Sequence, residues 1–341
     1  MIKVGIIGAG RIGHVHGESI SKFVKNATVK TIADPFMNEK TEAWAKSIGV
    51  EKTTKDYKEI LDDPEIAAVL ICASTDQHSP LSIEALKAGK HVFCEKPIDH
   101  DVEKIKEVLA VVKESGKKYQ VGFNRRFDHN FRAIRKAVEA GKVGKQQIIK
   151  ISSRDPEPPP ISYVKVSGGI FLDMTIHDFD MVRYLSGAEV EEVYAEGSIT
   201  VDPAIGEAGD VDTAVITLKL SNGATAVIDN CRACCYGYDQ RAEVFGDKGC
   251  VAISNDSDSN AVYSNKDGVT AEKPMFFFLE RYMMAYATEV DEFVEAIVND
   301  TETPVTAQDG LEPVLIGLAA TKSVKEHRPV KIAEIRKEYN L

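Results

Sequence analysis

Two separate stretches of the sequence carry side chains that can move a proton. Asp173 and His177 stand four residues apart among apolar neighbours, so in a continuous helix they would share one face. Burial there would move the pKa values of both groups toward neutral pH. The second stretch, "FCEKPIDHD", places Lys96 beside Glu95 at the end of an apolar run. Both stretches predict acid–base chemistry, with surface ion pairs as the competing interpretation.

Other acids near the first pair receive a different interpretation. Asp178 and Asp180 fall on other faces of the same predicted helix. We expect them to face solvent or to cap backbone groups. The residue pattern gives no role to six other histidines: His14, His16, His91, His100, His129 and His327.

A glycine-rich turn predicts a dinucleotide site. Gly8, Gly10 and Gly13 in "VGIIGAGRIG" have GxGxxG spacing between a predicted strand and a predicted helix. The first allows a tight turn, the second lets backbone approach a pyrophosphate, and the third allows close packing at a helix N-terminus that attracts negative charge. Asp34 ends the next predicted strand, where a carboxylate accepts ribose hydroxyls of NAD and repels the extra phosphate of NADP. We therefore predict NAD as the cofactor.

The N-terminal part must hold these residues on a parallel sheet. Apolar runs that predict strands alternate with amphipathic stretches that predict helices, and this alternation is typical of a doubly wound parallel sheet. The predicted strands are 3–8, 27–34, 67–74, 91–96 and 119–123, and the predicted helices are 11–23, 38–47, 55–61, 79–88 and 101–115. The polar loop "ASTDQHSP" falls at the carboxyl end of a strand, where such sheets bind ligands; a capped turn with a helix starting at Ser79 and Pro80 is the competing interpretation.

The pattern changes after about residue 122. A helix near 128–140 and a strand over 146–154 precede a proline-dense loop and a strand-rich region over 189–265. Helices over about 279–299 and 307–326 follow. We predict a fold of class α/β plus α+β: a Rossmann NAD-binding domain over 1–122, and over 123–341 an open, largely antiparallel sheet flanked by helices, which binds substrate and mediates oligomerisation.

Composition excludes several classes of function. The 341 residues carry a formal net charge of -11 without a long basic cluster, which argues against a nucleic-acid partner. The chain has no 18-residue apolar run for a membrane span, and its N-terminus starts directly on a predicted strand. Six irregularly spaced cysteines predict a reduced cytoplasmic protein. The CxxC pair within Cys231, Cys234 and Cys235 lacks a second pair or a spaced histidine, so we predict no metal site.

Several motifs together resemble the Gfo/Idh/MocA family of oxidoreductases. They are "GIIGAGRIG", "STDQHS" in place of the commoner "TPN" pattern, "EKP", and the order of a Rossmann domain before an open sheet. Five further segments are similar to family members that act on inositol: "GFNRRFD", "SRDPEPPP", "GGIFLDMTIHDFD", "YGYDQRAEVFG" and "PVTAQDGLEPVLIGLAATKS". The resemblance covers 3–323. It implies NAD-dependent oxidation of a cyclitol alcohol, favouring myo-inositol to 2-keto-myo-inositol (scyllo-inosose), in inositol catabolism by a cytoplasmic homotetramer.

The resemblance also implies roles for individual residues. It makes Lys96, Asp173 and His177 catalytic, with His177 as general base, Lys96 polarising the reacting oxygen and Asp173 orienting one of them. It implies a cis bond between Lys96 and Pro97. The implied cofactor contacts are Gly8, Gly10, Arg11, Ile12, Gly13, Asp34, Ser74, Thr75, His78, Glu95 and Lys96. The implied substrate contacts are Arg126, Asp155, Asp173, His177, Tyr236 and Tyr286.

Three alternatives stay open at this point. A scyllo-inositol or aldose dehydrogenase of the same family would share every catalytic residue, because only the pocket wall selects among neutral polyols. A catalytically silent NAD-binding regulator would share the scaffold. Either Lys96 or His177 is the immediate proton acceptor.

Overall fold

The chain forms two compact units. The computed structural model describes residues 1–341. The first unit comprises Met1–Phe127 and Met283–Val314, and the second comprises Asp128–Tyr282 and Leu315–Leu341. The first unit contains one sheet and the second contains two.

The first unit contains the predicted doubly wound parallel sheet. Its strands are β1 (Ile2–Ile7), β2 (Ala27–Ala33), β3 (Lys52–Thr54), β4 (Ile66–Ile71), β5 (His91–Glu95) and β6 (Tyr119–Gly122). Its helices are α1 (Arg11–Phe23), α2 (Glu39–Ser47), α3 (Lys58–Leu61), α4 (Thr75–Lys87) and α5 (Val102–Ser115), followed by a short 3-10 helix over Asn124–Phe127. The strand order is β3-β2-β1-β4-β5-β6, with parallel pairing throughout.

The main difference from the prediction in this unit is the start of α4. The helix begins at Thr75, with Ser74 as N-cap and Pro80 inside it, instead of beginning near Ser79. Pro80 has no N–H to donate to the carbonyl four residues before it, and its ring crowds that carbonyl, so it weakens the helix in its second turn. The polar loop after β4 is therefore shorter than predicted. Asp101 caps α5 by accepting from the backbone N–H of Glu103.

The second unit is built around an open mixed sheet. Its elements up to Tyr282 are α6 (His129–Glu139), β7 (Gln146–Arg154), α7 (Ile161–Val164), α8 (Ile170–Asp173), α9 (Thr175–Ser186), β8 (Val190–Ser198), α10 (Pro203–Glu207), β9 (Thr213–Leu220), β10 (Thr225–Cys231), β11 (Asp239–Gly246), β12 (Gly249–Ile253), β13 (Val262–Asn265), β14 (Gly268–Ala271) and α11 (Phe278–Arg281). β9 and β10 form a hairpin, with Gly223 at a positive φ in the turn.

The C-terminal elements complete both units. They are α12 (Met283–Val298), α13 (Ala307–Glu326), β15 (Val330–Lys331) and α14 (Ile332–Glu338). The larger sheet of the second unit has the order β12-β11-β7-β10-β9-β8-β15. Only β7 and β10 pair in parallel, so the sheet is largely antiparallel, as predicted. No helix of the structure has both the length and the apolar character needed to cross a bilayer.

The segment Met283–Val314 departs from the predicted division at residue 122. The prediction gave everything beyond that point to the second domain, whereas this segment returns to the first unit. Val290, Phe293 and Val294 of α12 are fully buried in the apolar core that contains β1 and β2 residues. A change of pattern along the sequence cannot show that a later helix packs back into the first unit. That packing depends on which of the two cores buries the helix.

Candidate active site

The glycine turn between β1 and α1 has the geometry that a pyrophosphate site needs. Gly8 has φ 103°, and a Cβ there would lie 2.5 Å from the carbonyl oxygen of Cys72. A Cβ on Gly13 would collide with the carbonyl oxygen of Gly8. In contrast, a Cβ on Gly10 would meet no atom within 4 Å, so the backbone at the N-terminus of α1 is open to a ligand. Arg11 begins the helix and is exposed.

Asp34 lies beside this turn, where a dinucleotide would place its ribose. Its Oδ2 accepts from the backbone N–H of Ala9 at 2.7 Å, and its Oδ1 accepts from the backbone N–H of Phe36 at 2.7 Å. Two main-chain donors therefore fix the carboxylate next to the glycine turn. The residues fit NAD, since an acid here accepts ribose hydroxyls and repels a phosphate.

His78 is tied to the main chain. The side chain is buried, its Nδ1 lies 2.7 Å from the carbonyl oxygen of Pro97, and its Nε2 lies 3.0 Å from that of Ala73. The ring therefore connects the start of α4 to the loop that follows β5. Thr75 and Ser74 lie at the N-terminus of α4, and the side chain of Ser74 lowers the pKa of Asp76 by hydrogen bonding to it.

Lys96 directly follows the last residue of β5, at the carboxyl edge of the parallel sheet. The peptide bond between Lys96 and Pro97 is cis, as the resemblance implied. Glu95 is buried, and its Oε1 lies 2.5 Å from Nε2 of His16. Arg126, in the same unit, donates from Nη2 to Oδ1 of Asp309 at 3.0 Å.

In the second unit the predicted pair is separated by a break in the helix. Asp173 ends α8 and His177 lies in the first turn of α9, with Met174 between the two helices. The backbone N–H of His177 donates to the carbonyl of Met174 at 3.3 Å, which is an i to i−3 bond that tightens the turn. The spacing of four residues therefore does not give one continuous helical face.

Asp173 is held by two partners that the sequence pattern did not identify. Its Oδ2 accepts from Nη1 of Arg232 at 2.9 Å, and its Oδ1 accepts from the hydroxyl of Tyr163 at 2.9 Å. The Arg232 side chain is 3% exposed, and its Nη1 also lies 3.9 Å from Oδ2 of Asp155. A single buried guanidinium thus brings together two acids that the resemblance assigned to catalysis and to substrate binding.

The prediction that Asp178 and Asp180 face solvent or cap the helix is wrong. Both residues are fully buried. Oδ2 of Asp178 accepts from Nδ2 of Asn230 at 2.9 Å, and Oδ1 of Asn230 accepts from the hydroxyl of Thr175 at 2.6 Å. α9 is buried on more than one side, so its polar residues form an internal network behind the His177 turn, and a one-sided helical pattern could not predict this.

Tyr236 lies in a turn, not on a strand. Residues 232–238 form no regular strand, and Tyr236 is exposed while Tyr238 is buried. The Tyr236 hydroxyl donates to Oδ2 of Asp239 at 2.6 Å and accepts from Nη1 of Arg154 at 3.1 Å. The bond to Asp239 raises the pKa of Tyr236 to about 12. The hydroxyl is therefore a neutral hydrogen-bonding group at physiological pH.

The two tyrosines near the start of α12 also differ from each other. Tyr282 is fully buried in the second unit and precedes the helix. Tyr286 lies within α12 in the first unit, with its ring edge-on to that of His16 at 5.7 Å between centroids.

The fold and these residues define an NAD-binding oxidoreductase with a separate sheet domain. Residues 2–123 match the family described as "Oxidoreductase family, NAD-binding Rossmann fold", and residues 131–252 match the "GFO/IDH/MocA C-terminal domain". The chain belongs to the Gfo/Idh/MocA family.

Named relatives are similar over the full length. A "Myo-inositol 2-dehydrogenase" of Thermotoga maritima is 46% identical over 98% of this chain and 99% of its own. The crystal structure of a probable dehydrogenase from Thermotoga maritima has a TM-score of 0.95 and 46% identity, covering 98% of this chain and all of that one. A scyllo-inositol dehydrogenase structure from Lactobacillus casei, with bound NAD(H) and scyllo-inositol, has a TM-score of 0.90 and 32% identity, covering 98% and 99%.

Proposed function

We propose that this enzyme oxidises a secondary alcohol of an inositol to the ketone with NAD, and that myo-inositol, giving 2-keto-myo-inositol, is the favoured substrate. The observation that carries the proposal is the similarity, from end to end, to proteins named as inositol dehydrogenases. The glycine turn and Asp34 support NAD as the nucleotide. NAD, when bound, supplies the hydride acceptor, and the protein supplies position and proton transfer.

Oxidation of the alcohol to the ketone requires one hydride acceptor and one base. The carbinol C–H bond breaks as hydride leaves for NAD, the O–H bond breaks as its proton passes to His177, and the remaining electron pair forms the carbonyl. Lys96 polarises the reacting oxygen by donating to it as negative charge develops. Asp173, held by Arg232 and Tyr163, orients its catalytic neighbour.

The proposed substrate contacts suit a neutral polyol. Asp155 is an acceptor for ring hydroxyls, Arg126 is a donor, and Tyr236 and Tyr286 carry hydroxyls that both donate and accept. Asp155 is only 14% exposed and lies near Arg232, so its orientation is constrained. A site built to hydrogen-bond each hydroxyl rejects analogues that lack one.

We further propose a cytoplasmic homotetramer that acts in inositol catabolism. Tyr194, Val215 and Phe245 on strands of the second sheet are 40%, 51% and 41% exposed, and a sheet face with exposed apolar residues favours self-association. Size-exclusion chromatography with light scattering tests this proposal, and a monomer at micromolar concentration would contradict it.

A second candidate is oxidation of scyllo-inositol, which is favoured by the neighbouring structure that holds scyllo-inositol. The deciding experiment measures NADH or NADPH formation with myo-inositol, scyllo-inositol, chiro-inositol and glucose. If kcat/KM is highest for myo-inositol with NAD, the result supports the proposal. If it is highest for scyllo-inositol or glucose, that compound is the favoured substrate instead. Tight NAD binding without oxidation of any polyol would favour a silent regulator.

The proton-transfer role is tested by His177→Ala. Loss of a general base costs about a hundredfold to ten-thousandfold in rate. The matched control is His129→Ala in the same unit, because the His129 side chain is 70% exposed. Near-normal turnover in His177→Ala would refute the role of His177, and Lys96→Met with a pH profile would then test Lys96 as the acceptor.

A further inference from the structure

Three ionisable side chains meet inside the first unit. His16 on α1, Glu95 at the end of β5 and Glu289 on α12 each place one nitrogen or oxygen within 4.8 Å of the other two. His16 and Glu289 are fully buried, and Glu95 is 7% exposed. The residue pattern alone gave no role to His16 or Glu289, because they lie far apart along the chain.

The carboxyl group of Glu289 has an unusual environment. Both of its oxygens are sealed from solvent and have no hydrogen-bond partner. Burial first, and then the negative charge of Glu95, raise its pKa well above the ordinary value for a glutamate. Two carboxylates that share one buried site cannot both ionise without a large cost, and this favours the neutral form of one of the two.

The neighbouring groups identify Glu289 as the neutral acid. Glu95 already has a hydrogen-bond partner in Nε2 of His16, whereas neither carboxyl oxygen of Glu289 has one. Gln120 donates to the main-chain oxygen of Glu289, not to its carboxyl group. The thiol of Cys72 is also buried, and burial followed by the nearby acids raises its pKa.

Aromatic rings enclose the cluster on its other sides. The rings of Phe93 on β5 and Tyr286 on α12 lie edge-on to His16, with centroids at 5.1 and 5.7 Å. A Cβ on Gly122 of β6 would lie 3.0 Å from Oε2 of Glu95, so the adjacent strand also closes on this carboxylate. The cluster is therefore an enclosed polar site within a packed core.

We propose that Glu289 is protonated in the folded protein, beside the hydrogen-bonded pair of His16 and Glu95, and that this cluster positions Lys96. Glu95 is the last residue of β5 and Lys96 follows it directly. A carboxylate bonded to His16 of α1 and packed near Glu289 of α12 therefore fixes the strand end that carries the lysine. Glu289 and His16 are positioning residues. The part that concerns Lys96 rests on the proposed function; the protonation of Glu289 does not.

The first test needs no activity. Wild type and Glu289→Gln are unfolded at equilibrium in urea at several pH values between 5 and 8. Glu289 is neutral in the folded protein and ionised in the unfolded chain, so its burial costs more as pH rises. The unfolding constant of wild type relative to the Gln variant should therefore rise about tenfold per pH unit until the folded pKa is reached.

Several outcomes would overturn the inference. Parallel pH curves would mean that Glu289 is ionised in the folded state. A stoichiometric divalent metal in purified wild type, absent from Glu289→Gln, would mean that a cation, not a proton, neutralises the acids. Failure of Glu289→Gln to fold would also contradict the proposal, since glutamine reproduces the shape and the donor of a protonated glutamate.

The second test measures positioning. Glu289→Gln should keep kcat near that of wild type, whereas Glu289→Ala should lower kcat about tenfold to a hundredfold, because small misplacements of a reacting group are costly. NAD affinity, measured by fluorescence titration, should change less than threefold in both. The matched control is Glu295→Ala on the same helix, whose carboxylate bonds Asn299 near the surface.

The two tests separate the possible failures. If wild type oxidises no polyol, the proposed function fails while the pH dependence still tests Glu289. If wild type is active and Glu289→Ala keeps full kcat, the positioning role fails alone. Equal losses of kcat in the Gln and Ala variants would also refute it, because the conservative change should rescue turnover.

Discussion

Replacing Arg232 tests directly how the second unit compensates the negative charges of Asp173 and Asp155. We predict that Arg232→Met strongly destabilises the protein, because it leaves Asp173 and Asp155 without their shared cation. The Arg232 and Asp173 side chains are 3% and 12% exposed, with 2.9 Å between Nη1 and Oδ2. At that separation two unit charges attract by about 6 kcal/mol at an effective dielectric constant of about 20, and desolvation offsets part of this.

The expected loss follows from the charge that is left behind. Removing one partner of a buried ion pair typically costs about 3–5 kcal/mol, which is a large part of a usual unfolding free energy of about 5–15 kcal/mol. Urea unfolding at pH 7, followed by circular dichroism, measures the change. Arg328→Met is the matched control. The ion pair between Arg328 and Glu334 is exposed, so the urea concentration at the midpoint of unfolding should hardly change.

A double-mutant cycle identifies the cause. In an Asp173→Asn background the nearer of the two negative charges is already gone and only that of Asp155 remains, so Arg232→Met should cost at least about 2 kcal/mol less than in wild type. An equal cost in both backgrounds would mean that Arg232 stabilises the unit by packing alone. A loss below about 1 kcal/mol in wild type would refute the idea that the guanidinium compensates these acids.

Three further predictions concern separate parts of the chain. Asp34→Ala should raise the KM for NAD about tenfold. It should also reduce the preference for NAD over NADP in kcat/KM, because it removes the charge that repels a phosphate. Unchanged kinetics with both nucleotides would contradict this. Burial raises the pKa of Asp239, but hydrogen bonds from Arg241 and other donors outweigh burial and lower it to about 2. Asp239→Asn should therefore cost about 1–2 kcal/mol at pH 7, a difference that shrinks below pH 4 and vanishes only below pH 2. Thiol reagents should label exposed Cys235 quickly and Cys94 only after unfolding, since burial raises the pKa of Cys94 to about 12; fast labelling of Cys94 in the native protein would contradict its burial.

The sequence predicted those features that depend on short, local patterns. The apolar runs located five strands of the first sheet, because a strand covered on both faces must be apolar along its length. The glycine spacing and the acid at the end of β2 predicted neighbours that the structure brings together at Asp34 and Ala9. Helix α13 has the predicted bounds, Ala307–Glu326.

Local sequence patterns could not predict contacts between side chains that are far apart along the chain. Nothing local marks Arg232 as the partner of Asp173, since the two residues belong to different elements and meet only when the sheet and helices pack. Strand β3 was missed because its three residues, Lys52–Thr54, carry no apolar run. The burial of Asp178 was missed because its partner Asn230 lies on a distant strand.

The two units neutralise buried acids in different ways, and the difference has a chemical reason. In the second unit a permanent cation, the guanidinium of Arg232, faces Asp173 and keeps an accepting carboxylate available for the orienting role that we propose. In the first unit a cation beside Lys96 would disfavour the charged lysine through like-charge repulsion. A proton on Glu289 instead removes the negative charge of the second acid without adding a positive one. Replacing Glu289 by lysine should therefore damage turnover more than replacing it by methionine, and the reverse order in kcat would contradict this account.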